Sequence, residues 1–281
     1  MKITLIGVGL IGGSMALKLK ANRTASYIYG VDLNNAHLQT AKELEIIDEI
    51  SSLENAVRNS DLIILAIPVD AAKVLIGKIL NLIKPNQTVM DAGSTKSGIV
   101  EAVKNHPNRN RFVAFHPMWG TENSGPEAAV SDSFSGRAAV ICDRENSAED
   151  AIKTAENVAR SLGMHLIYMS ARDHDLHTAY ISHISHITSY ALANTVLEKE
   201  QEEETIFQLA STGFSSTVRL AKSHPEMWVP IFKQNRENVL DVLNEHITQL
   251  NKFREALENK DFEMLGELII NANKIRGILE K

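Results

Sequence analysis

The sequence contains a single cysteine, Cys142, among its 281 residues. One thiol excludes an internal disulfide and a zinc site built from cysteines. Basic residues are not in excess either, since 29 lysines and arginines against 35 acidic residues give a formal net charge of -6 at pH 7. A nucleic-acid-binding surface needs a basic stripe. The charge therefore argues against that class of function, and we expect no nucleic-acid partner.

Long hydrophobic runs are also missing. The most apolar run, "LIILAIPV", is far too short to cross a bilayer, so we expect no membrane association. Met1 leads directly into a strand-like run, and we therefore expect no signal peptide and a cytoplasmic location. With 44% hydrophobic and 23% charged residues, the composition is that of an ordinary globular protein with room for two domains.

In residues 1–170, short apolar segments alternate with helical patterns. Near-continuous apolar strands separated by helices predict a parallel sheet that is covered on both faces. The predicted strands are "MKITLIGVG", "YIYGVD", "DLIILAIP", "TVMDAG", "RFVAFHP", "RAAVICD" and "HLIYM".

The pattern changes after Ser170, which can begin a helix as its N-cap with Asp173 three residues further on. We find no strand pattern from there to Lys281. The segment "HTAYISHISHITSYALANTVL" is helical, and a long helical pattern runs from Pro225 towards Lys260. The acidic run at 198–204 is interpreted as a solvated helix connection.

The predicted fold class is α/β, with a Rossmann-type, mostly parallel sheet domain followed by an all-α domain. We place the boundary so that residues 1–170 bind the dinucleotide and residues 171–281 form the helical domain. Long amphipathic helices such as "NVLDVLNEHITQL" must bury an apolar face within a small domain. Burial against a second copy satisfies that need, so we expect a homodimer.

A glycine-rich turn follows the first predicted strand and opens a helix. "GVGLIGGS" supplies Gly7, Gly9 and Gly12 in the order G-x-G-x-x-G, with Leu10 and Ile11 between them. In this context the glycines allow a tight turn, the close approach of a pyrophosphate, and packing of helix on strand. The helix N-terminus favours the phosphate charge. These five residues are predicted to bind a dinucleotide.

Asp32 ends the second strand, twenty residues after Gly12. A carboxylate there accepts hydrogen bonds from both ribose hydroxyls and repels a 2′-phosphate, so NAD is favoured over NADP. Ile67 and Pro68, in "AIPVD", stand at the end of the predicted strand "DLIILAIP". Ligands bind outside the carboxyl ends of such strands, and we expect both residues to contact the cofactor.

Two further segments follow strands and should lie on the same edge of the sheet. Ser94 and Thr95 in "DAGSTKSG" are either helix caps or site residues, and Ser94 can be both. "FHPMWGTENSG" is neither helical nor alternating, so we interpret it as a loop that carries His116.

Four histidines lie close together in the sequence, at positions 174, 177, 183 and 186, and a cluster of this kind can bind a metal ion. On one helix at about 100° per residue, the first pair points away from the second. We therefore expect no metal, and we interpret His174 and His177 as capping or solvated residues.

Together these motifs resemble the prephenate and arogenate dehydrogenase family of tyrosine biosynthesis. The resemblance covers nearly the whole chain and rests on "GVGLIGGS", "DAGSTKS", "FHPMWGTENSG", "DHDLHTAYISHISH" and "STGFSSTVR" followed by "HPEMW". It implies a Rossmann domain and a helical domain that forms an intertwined dimer. It also implies oxidation of prephenate to 4-hydroxyphenylpyruvate, or of arogenate to tyrosine, with hydride transfer to a nicotinamide and loss of carbon dioxide.

The resemblance also assigns roles to individual residues. His116 matches the group that accepts the proton of the ring hydroxyl, and Ser94 matches the serine that orients it near the nicotinamide. Arg219 matches the arginine that binds a substrate carboxylate. The remaining matches are expected to line the substrate pocket: Thr121, Glu122, His183, His186 and, at its rim, Trp228.

The sequence departs from the family pattern at Trp119, Ser215 and Ser216, which leaves details of the pocket open. It does not decide between prephenate and arogenate. We expect neither a regulatory extension nor a fused chorismate mutase. An imine or β-hydroxyacid dehydrogenase is the alternative from the same fold class. The β-hydroxyacid enzymes need a catalytic lysine in the helical domain, and there is no such motif around "HTAYISHISH". A non-catalytic NAD-binding sensor, the remaining alternative, has no use for His116 and Arg219 together.

Overall fold

Eight short strands form one sheet in the computed structural model, which describes residues 1–200 and 205–279. Most of the acidic run at 198–204, predicted to be a solvated connection, lies outside the described residues. The strands are Lys2–Ile6 (β1), Tyr27–Val31 (β2), Glu49–Ile50 (β3), Leu62–Leu65 (β4), Thr88–Asp91 (β5), Phe112–Pro117 (β6), Ala138–Cys142 (β7) and His165–Met169 (β8).

The sheet order is β3-β2-β1-β4-β5-β6-β7-β8. All neighbours are parallel except β6 and β7, which pair antiparallel with His116 opposite Val140. The chain leaves β1 towards one side for β2 and returns to its other side for β4. This reversal opens a crevice at the carboxyl ends of β1 and β4, where dinucleotides bind in such sheets.

Helices cover both faces of the sheet and make up the regular structure after β8. They are Leu10–Ala21 (α1), Asn35–Glu43 (α2), Leu53–Arg58 (α3), Val69–Leu82 (α4), Ser97–Val103 (α5), Glu149–Ser161 (α6), Ala171–Thr178 (α7), Ile184–Glu200 (α8), Thr212–Thr217 (α9), Pro225–Gln234 (α10), Arg236–Glu258 (α11), Phe262–Asn273 (α12) and Arg276–Leu279 (α13). A π-helical turn, Ala179–His183, joins α7 to α8.

Two apolar cores lie on the two faces of the sheet. One contains Leu5 with residues of α1, α2 and α6, and the other contains Leu65 with residues of α3, α4 and α5. Strands β4, β5 and β6 are buried along their whole length, because helices cover both of their faces. This three-layer arrangement confirms the predicted α/β class.

The chain divides into two compact units, residues 1–235 and 236–281. Helices α7 to α10 thus belong to the same unit as the sheet, and α11 to α13 form the second unit. The functional boundary expected at residue 170 stays a prediction. Among the described residues after Ser170 there is no strand, as expected, and no helix in the described chain is long and apolar enough to span a membrane.

The helical pattern from Pro225 towards Lys260 is not one continuous helix. It is interrupted at Asn235, between α10 and α11. The Asn235 side chain is buried, and its Nδ2 atom donates to the backbone oxygen of Asp175. A tertiary hydrogen bond of this kind leaves no signal in hydrophobic periodicity, so the helical pattern did not indicate the break at Asn235.

Candidate active site

The glycine turn between β1 and α1 has the geometry of a phosphate cradle. Gly7 has φ +91°, and a Cβ there would lie 2.3 Å from the backbone oxygen of Ala66. A Cβ at Gly12 would lie 2.2 Å from the oxygen of Gly7, whereas one at Gly9 would meet nothing within 4 Å. The turn therefore excludes side chains at two positions and leaves open space at the third. That open space is what a pyrophosphate needs for close approach.

The N-terminus of α1 remains available to an anion. Gly9 is its N-cap and supplies no side-chain acceptor, and the first turn, which includes Leu10 and Ile11, carries no acidic residue. Free N–H groups at a helix start, with the positive end of its dipole, favour a phosphate. These residues fit a dinucleotide.

Asp32 lies beside this turn, at the end of β2. Its Oδ2 atom accepts a hydrogen bond of 3.1 Å from the N–H of Val8, and Oδ1 accepts one of 2.9 Å from Asn34. The backbone thus holds the carboxylate in place. Ile67 and Pro68 follow β4, where Ile67 packs against Gly7 and Pro68 caps α4. The structure brings all the predicted cofactor residues to the crevice at the carboxyl ends of the strands.

His116 lies within β6 and not in a loop, which corrects the expectation for "FHPMWGTENSG". The strand extends to Pro117 because β7 pairs with Phe115, His116 and Pro117. An antiparallel neighbour 22 or more residues further along the chain could not be inferred from the local pattern. His116 is 9% exposed, and the loop begins only after Pro117.

The Nδ1 atom of His116 is 2.8 Å from Nε2 of His174. In turn, Nδ1 of His174 is 2.8 Å from Oδ1 of Asp175. His174 is only 1% exposed, so its interpretation as a capping or solvated residue was wrong, whereas His177 is exposed as expected. We call His116, His174 and Asp175 the imidazole chain. The π-helical turn after α7 also breaks the uniform 100° spacing on which the earlier interpretation of the histidines depended.

The carboxylate of Asp175 caps α5. It accepts hydrogen bonds from the N–H of Lys96 at 2.7 Å and from that of Ser97 at 2.8 Å. Ser94 and Thr95 therefore do not cap this helix. Thr95 donates to Gln234, and Ser94 is half-buried and makes no hydrogen bond to His116 among the described residues.

Burial is the main electrostatic influence on His116. It lowers the pKa of the imidazole well below its ordinary value of 6.5, and the nearby His174, Lys96 and His183 lower it further. Lys96 is fully buried, and its ammonium contacts the carboxylate of Asp91. His116 is consequently neutral at pH 7, which is the state that can accept a proton.

Arg219 and Glu122 meet directly. The guanidinium Nη1 is 2.7 Å from Oε2 of Glu122, and the arginine side chain is 50% exposed. Hydrogen bonds from the backbone of Glu122 and from Arg219 lower the pKa of the carboxyl. Thr121 accepts a hydrogen bond from the N–H of Asn123, which shapes the same loop. The remaining donors of Arg219 are available to an anion.

His183, His186 and Trp228 form an aromatic group in the same unit. The His186 ring stacks on Trp228 with centroids 3.4 Å apart, and His183 meets the indole edge-on at 5.9 Å. Burial lowers the pKa of His183 to about 4 and also lowers that of His186, which Arg219 lowers further. Trp228 is a buried core residue and not a rim residue, although its Nε1 has no hydrogen-bond partner among the described residues.

Electrostatic neighbours link these groups into one region. His183 lies close enough to influence His116 and His186, and Arg219 influences His186. The sequence interpretation missed the roles of Asp91, Lys96, Asp175 and Asn235. Asp91 and Lys96 stand in the motif "DAGSTK", but nothing local indicated that Asp175 would bond to a helix 78 residues earlier in the chain. The described residues contain no group of three or more potential ligands suited to a metal ion.

A glycine turn suited to a dinucleotide, a carboxylate at the end of β2 and a neutral histidine at the same sheet edge are features of an NAD-dependent dehydrogenase of the Rossmann class. Comparison with known domain families identifies the family within this class. Residues 15–168 match the nucleotide-binding domain of prephenate dehydrogenase, and residues 170–271 match its dimerization domain. The chain belongs to the prephenate dehydrogenase family.

Individual relatives agree with this family. The prephenate dehydrogenase of Bacillus subtilis is 32% identical over 277 residues, which span 98% of this chain and 75% of the relative. The cyclohexadienyl dehydrogenase of Zymomonas mobilis is 29% identical over 99% of this chain and 96% of its own length.

Solved structures are similar as well. The prephenate dehydrogenase from A. aeolicus, in complex with hydroxyphenyl propionate and NAD+, has a TM-score of 0.90 at 29% identity and covers 99% of this chain and 98% of its own. The arogenate dehydrogenase of Synechocystis has a TM-score of 0.77 at 26% identity, with 99% of both chains covered.

Proposed function

We propose that this protein catalyses the NAD-dependent oxidative decarboxylation of prephenate to 4-hydroxyphenylpyruvate, a step of tyrosine biosynthesis. The observation that carries the proposal is the buried, neutral imidazole of His116 at the carboxyl edge of the sheet. Its electrostatic neighbour His183 also influences His186, which Arg219 influences in turn, and this supports a shared site for the base and the cation. Family membership and the relatives named above support the same reaction.

The cofactor is held by the glycine turn and Asp32. NAD, when bound, accepts the hydride that leaves the ring carbon. The N-terminus of α1, which has no side-chain cap, would hold the phosphates of NAD, and Asp32 would accept hydrogen bonds from the ribose hydroxyls. The same carboxylate repels a 2′-phosphate, which sets the preference for NAD over NADP.

His116 accepts the proton of the ring hydroxyl as the hydride leaves. A neutral imidazole within hydrogen-bond reach is a suitable base at neutral pH. Restoration of the aromatic ring drives the loss of carbon dioxide, so neither a metal nor a covalent nucleophile is required. Ser94, also at this edge, contributes to the position of the nicotinamide and the hydroxyl.

Arg219 binds a carboxylate of the substrate with the guanidinium donors that Glu122 does not occupy. Thr121, Glu122, His183 and His186 line the pocket around the substrate side chain. Trp228 supports this pocket from the core by holding His186 in a stacked position.

Arogenate is the second candidate substrate. It carries an ammonium where prephenate carries a keto group, and the carboxylate of Glu122 beside Arg219 is a group that can pair with an ammonium. The similarity to an arogenate dehydrogenase and to a cyclohexadienyl dehydrogenase favours keeping it as an alternative.

Initial rates with prephenate and arogenate, each paired with NAD and then with NADP, test the proposal. The highest kcat/KM is expected for prephenate with NAD. A higher value for arogenate would assign the second substrate. No NADH formation with either substrate would leave only a non-catalytic NAD-binding protein and would overturn the proposed function.

The protein acts as a homodimer formed through its helical half. The match of residues 170–271 to a dimerization domain supports this proposal, as do exposed apolar side chains such as Ile247 and Leu250 on α11. The cytoplasmic location expected from the sequence stays a prediction.

A further inference from the structure

We propose that His174 and Asp175 are positioning residues that fix the tautomer of His116, so that its Nε2 atom is the free proton acceptor. This inference rests on the proposed function, in which His116 is the base. It assigns a function to His174 and Asp175, which none of the sequence motifs assigns to them.

Asp175 determines which atoms donate and which accept in the hydrogen bonds of the imidazole chain. Its two carboxylate oxygens accept the N–H groups of Lys96 and Ser97. Burial raises the pKa of this carboxyl, but hydrogen bonds from His174, Ser97 and Lys96 outweigh burial and hold the pKa below its ordinary value. An ionised carboxylate can only accept hydrogen bonds. The Nδ1 atom of His174, 2.8 Å from Oδ1, must therefore be the donor.

The protonation of His174 at Nδ1 in turn determines which nitrogen of His116 carries a proton. Burial lowers the pKa of His174, so the ring is neutral and carries its single proton on Nδ1. Its Nε2 then has only a lone pair, and this atom is 2.8 Å from Nδ1 of His116. The proton of that bond must come from His116, which is neutral as well. The Nε2 atom of His116 is left unprotonated and able to accept the substrate's proton.

The burial of these side chains preserves the sequence of donors and acceptors from His116 through His174 to Asp175. All three side chains are buried, so water does not compete for their lone pairs. The other charged groups near His116 are Lys96, which directly precedes α5, and its partner Asp91 at the end of β5. Because Asp175 is bound to the backbone of α5, the position of the acceptor is set by a helix and not by a mobile side chain.

Three variants test this role through kinetics. In His174→Phe the ring shape is kept but the acceptor for Nδ1 of His116 is lost. We expect kcat to fall roughly ten- to a hundredfold, a part of the 10²–10⁴ that a positioned base supplies, with little change in KM for NAD or prephenate. His174→Gln can place an oxygen where Nε2 stands, and kcat should recover to within about fivefold of the wild type. His177→Phe, exposed on the same helix, is the matched control and should behave as wild type.

A spectroscopic measurement tests the tautomer independently of activity. Protein labelled with ¹⁵N-histidine, with His116 assigned by comparison with His116→Asn, should show Nδ1 protonated and Nε2 unprotonated near pH 7. The order should persist in His174→Gln and be lost in His174→Phe. Should His174→Phe fail to fold, the wild type and His174→Gln still decide the question.

Full turnover of a folded His174→Phe, or a proton found on Nε2 of His116 in the wild type, would overturn the proposal. The two hypotheses fail differently. If His116→Asn kept normal turnover, the role of His116 as base would be wrong, and with it the catalytic purpose of the chain. The tautomer measured by NMR would still report whether His174 and Asp175 set the state of that ring.

Discussion

The role proposed for His116 as a general base has two requirements, a neutral ring and a fixed orientation. Burial keeps the imidazole neutral, and His174 holds its Nδ1 atom. His116→Asn should lower kcat by about 10²–10⁴-fold, the range for a positioned acid–base group, while KM should change little, since the proposed function assigns substrate binding to Arg219. Steady-state kinetics check this. A variant with normal kcat and a lower melting temperature would assign His116 a purely structural role.

The same burial determines the pH dependence of turnover. Because the pKa of His116 lies well below 6.5, kcat should remain level as pH falls through 6.5 and should decline only at lower pH. A pH profile of kcat with saturating substrates checks this, with His116→Asn as the control that lacks the decline. A midpoint at or above pH 6.5 would contradict the effect of burial.

His183 gives a stability prediction of known sign. Its pKa falls from 6.5 to about 4 on folding, so the unfolded chain takes up a proton at a higher pH than the folded chain. The stabilisation is complete above pH 6.5 and is lost as pH falls towards 4, by about 2 kcal/mol at pH 5. His183→Asn should therefore lose less stability than the wild type between pH 7 and pH 5. Denaturant unfolding at both pH values measures the difference, and equal losses would refute it.

Arg219 is the residue whose loss should affect substrate binding most directly. Arg219→Ala should raise KM for prephenate about ten- to a hundredfold, the lower part of the range for charge-assisted pairs because the guanidinium is half exposed. Arg172→Ala, exposed on α7, is the control. An unchanged KM in Arg219→Ala would show that another cation binds the carboxylate.

At the scale of elements, the turn from β1 into α1 can be tested with two glycines. A Cβ at Gly12 would clash with the backbone of Gly7, whereas one at Gly77 in α4 would meet nothing within 4 Å. Gly12→Ala should weaken NAD binding and lower stability. Gly77→Ala should leave NAD binding unchanged and raise stability by up to about 1 kcal/mol, because alanine favours a helix. Calorimetric titration and thermal melting separate the two effects, and tight NAD binding by Gly12→Ala would contradict the geometry of the turn.

Elements with a local pattern could be predicted from the sequence. Seven strands with apolar runs, the Ser170 N-cap and the dinucleotide turn all have local signals, and the structure confirms them. β3 has only two residues and no apolar run, so it was missed. The place of His116 in β6 depends on pairing with β7, and the burial of His174 depends on Asp175 and α5. Contacts between distant segments leave no periodic signal, which is why the cofactor half could be predicted more fully than the support of the base.

For the whole molecule, the prediction that matters most is the assembly. Apolar side chains on α11 and α12, among them Leu250, Phe262 and Ile270, are more than half exposed in the single chain. Exposed apolar surface of this kind favours association. Light scattering at micromolar concentration should give a mass of about twice 31.0 kDa. A mass of one chain would exclude the homodimer.

The carboxylate of Asp175 also has a consequence for chimeric enzymes. The match to the first domain family ends at residue 168, and the match to the second begins at residue 170. A chimera of two related enzymes would be joined at this boundary, with the sheet domain of one and the helical domain of the other. Yet that junction separates α5 from the side chain that caps it. A graft whose new helical half lacked an equivalent carboxylate would leave two N–H groups without their acceptor, at about 1–3 kcal/mol for each one that stays buried. Such a hybrid is expected to bind NAD and still turn over slowly. The boundary between the two family domains separates Asp175 from α5, and Asp175 positions the ring of His116 through His174 in the arrangement proposed above.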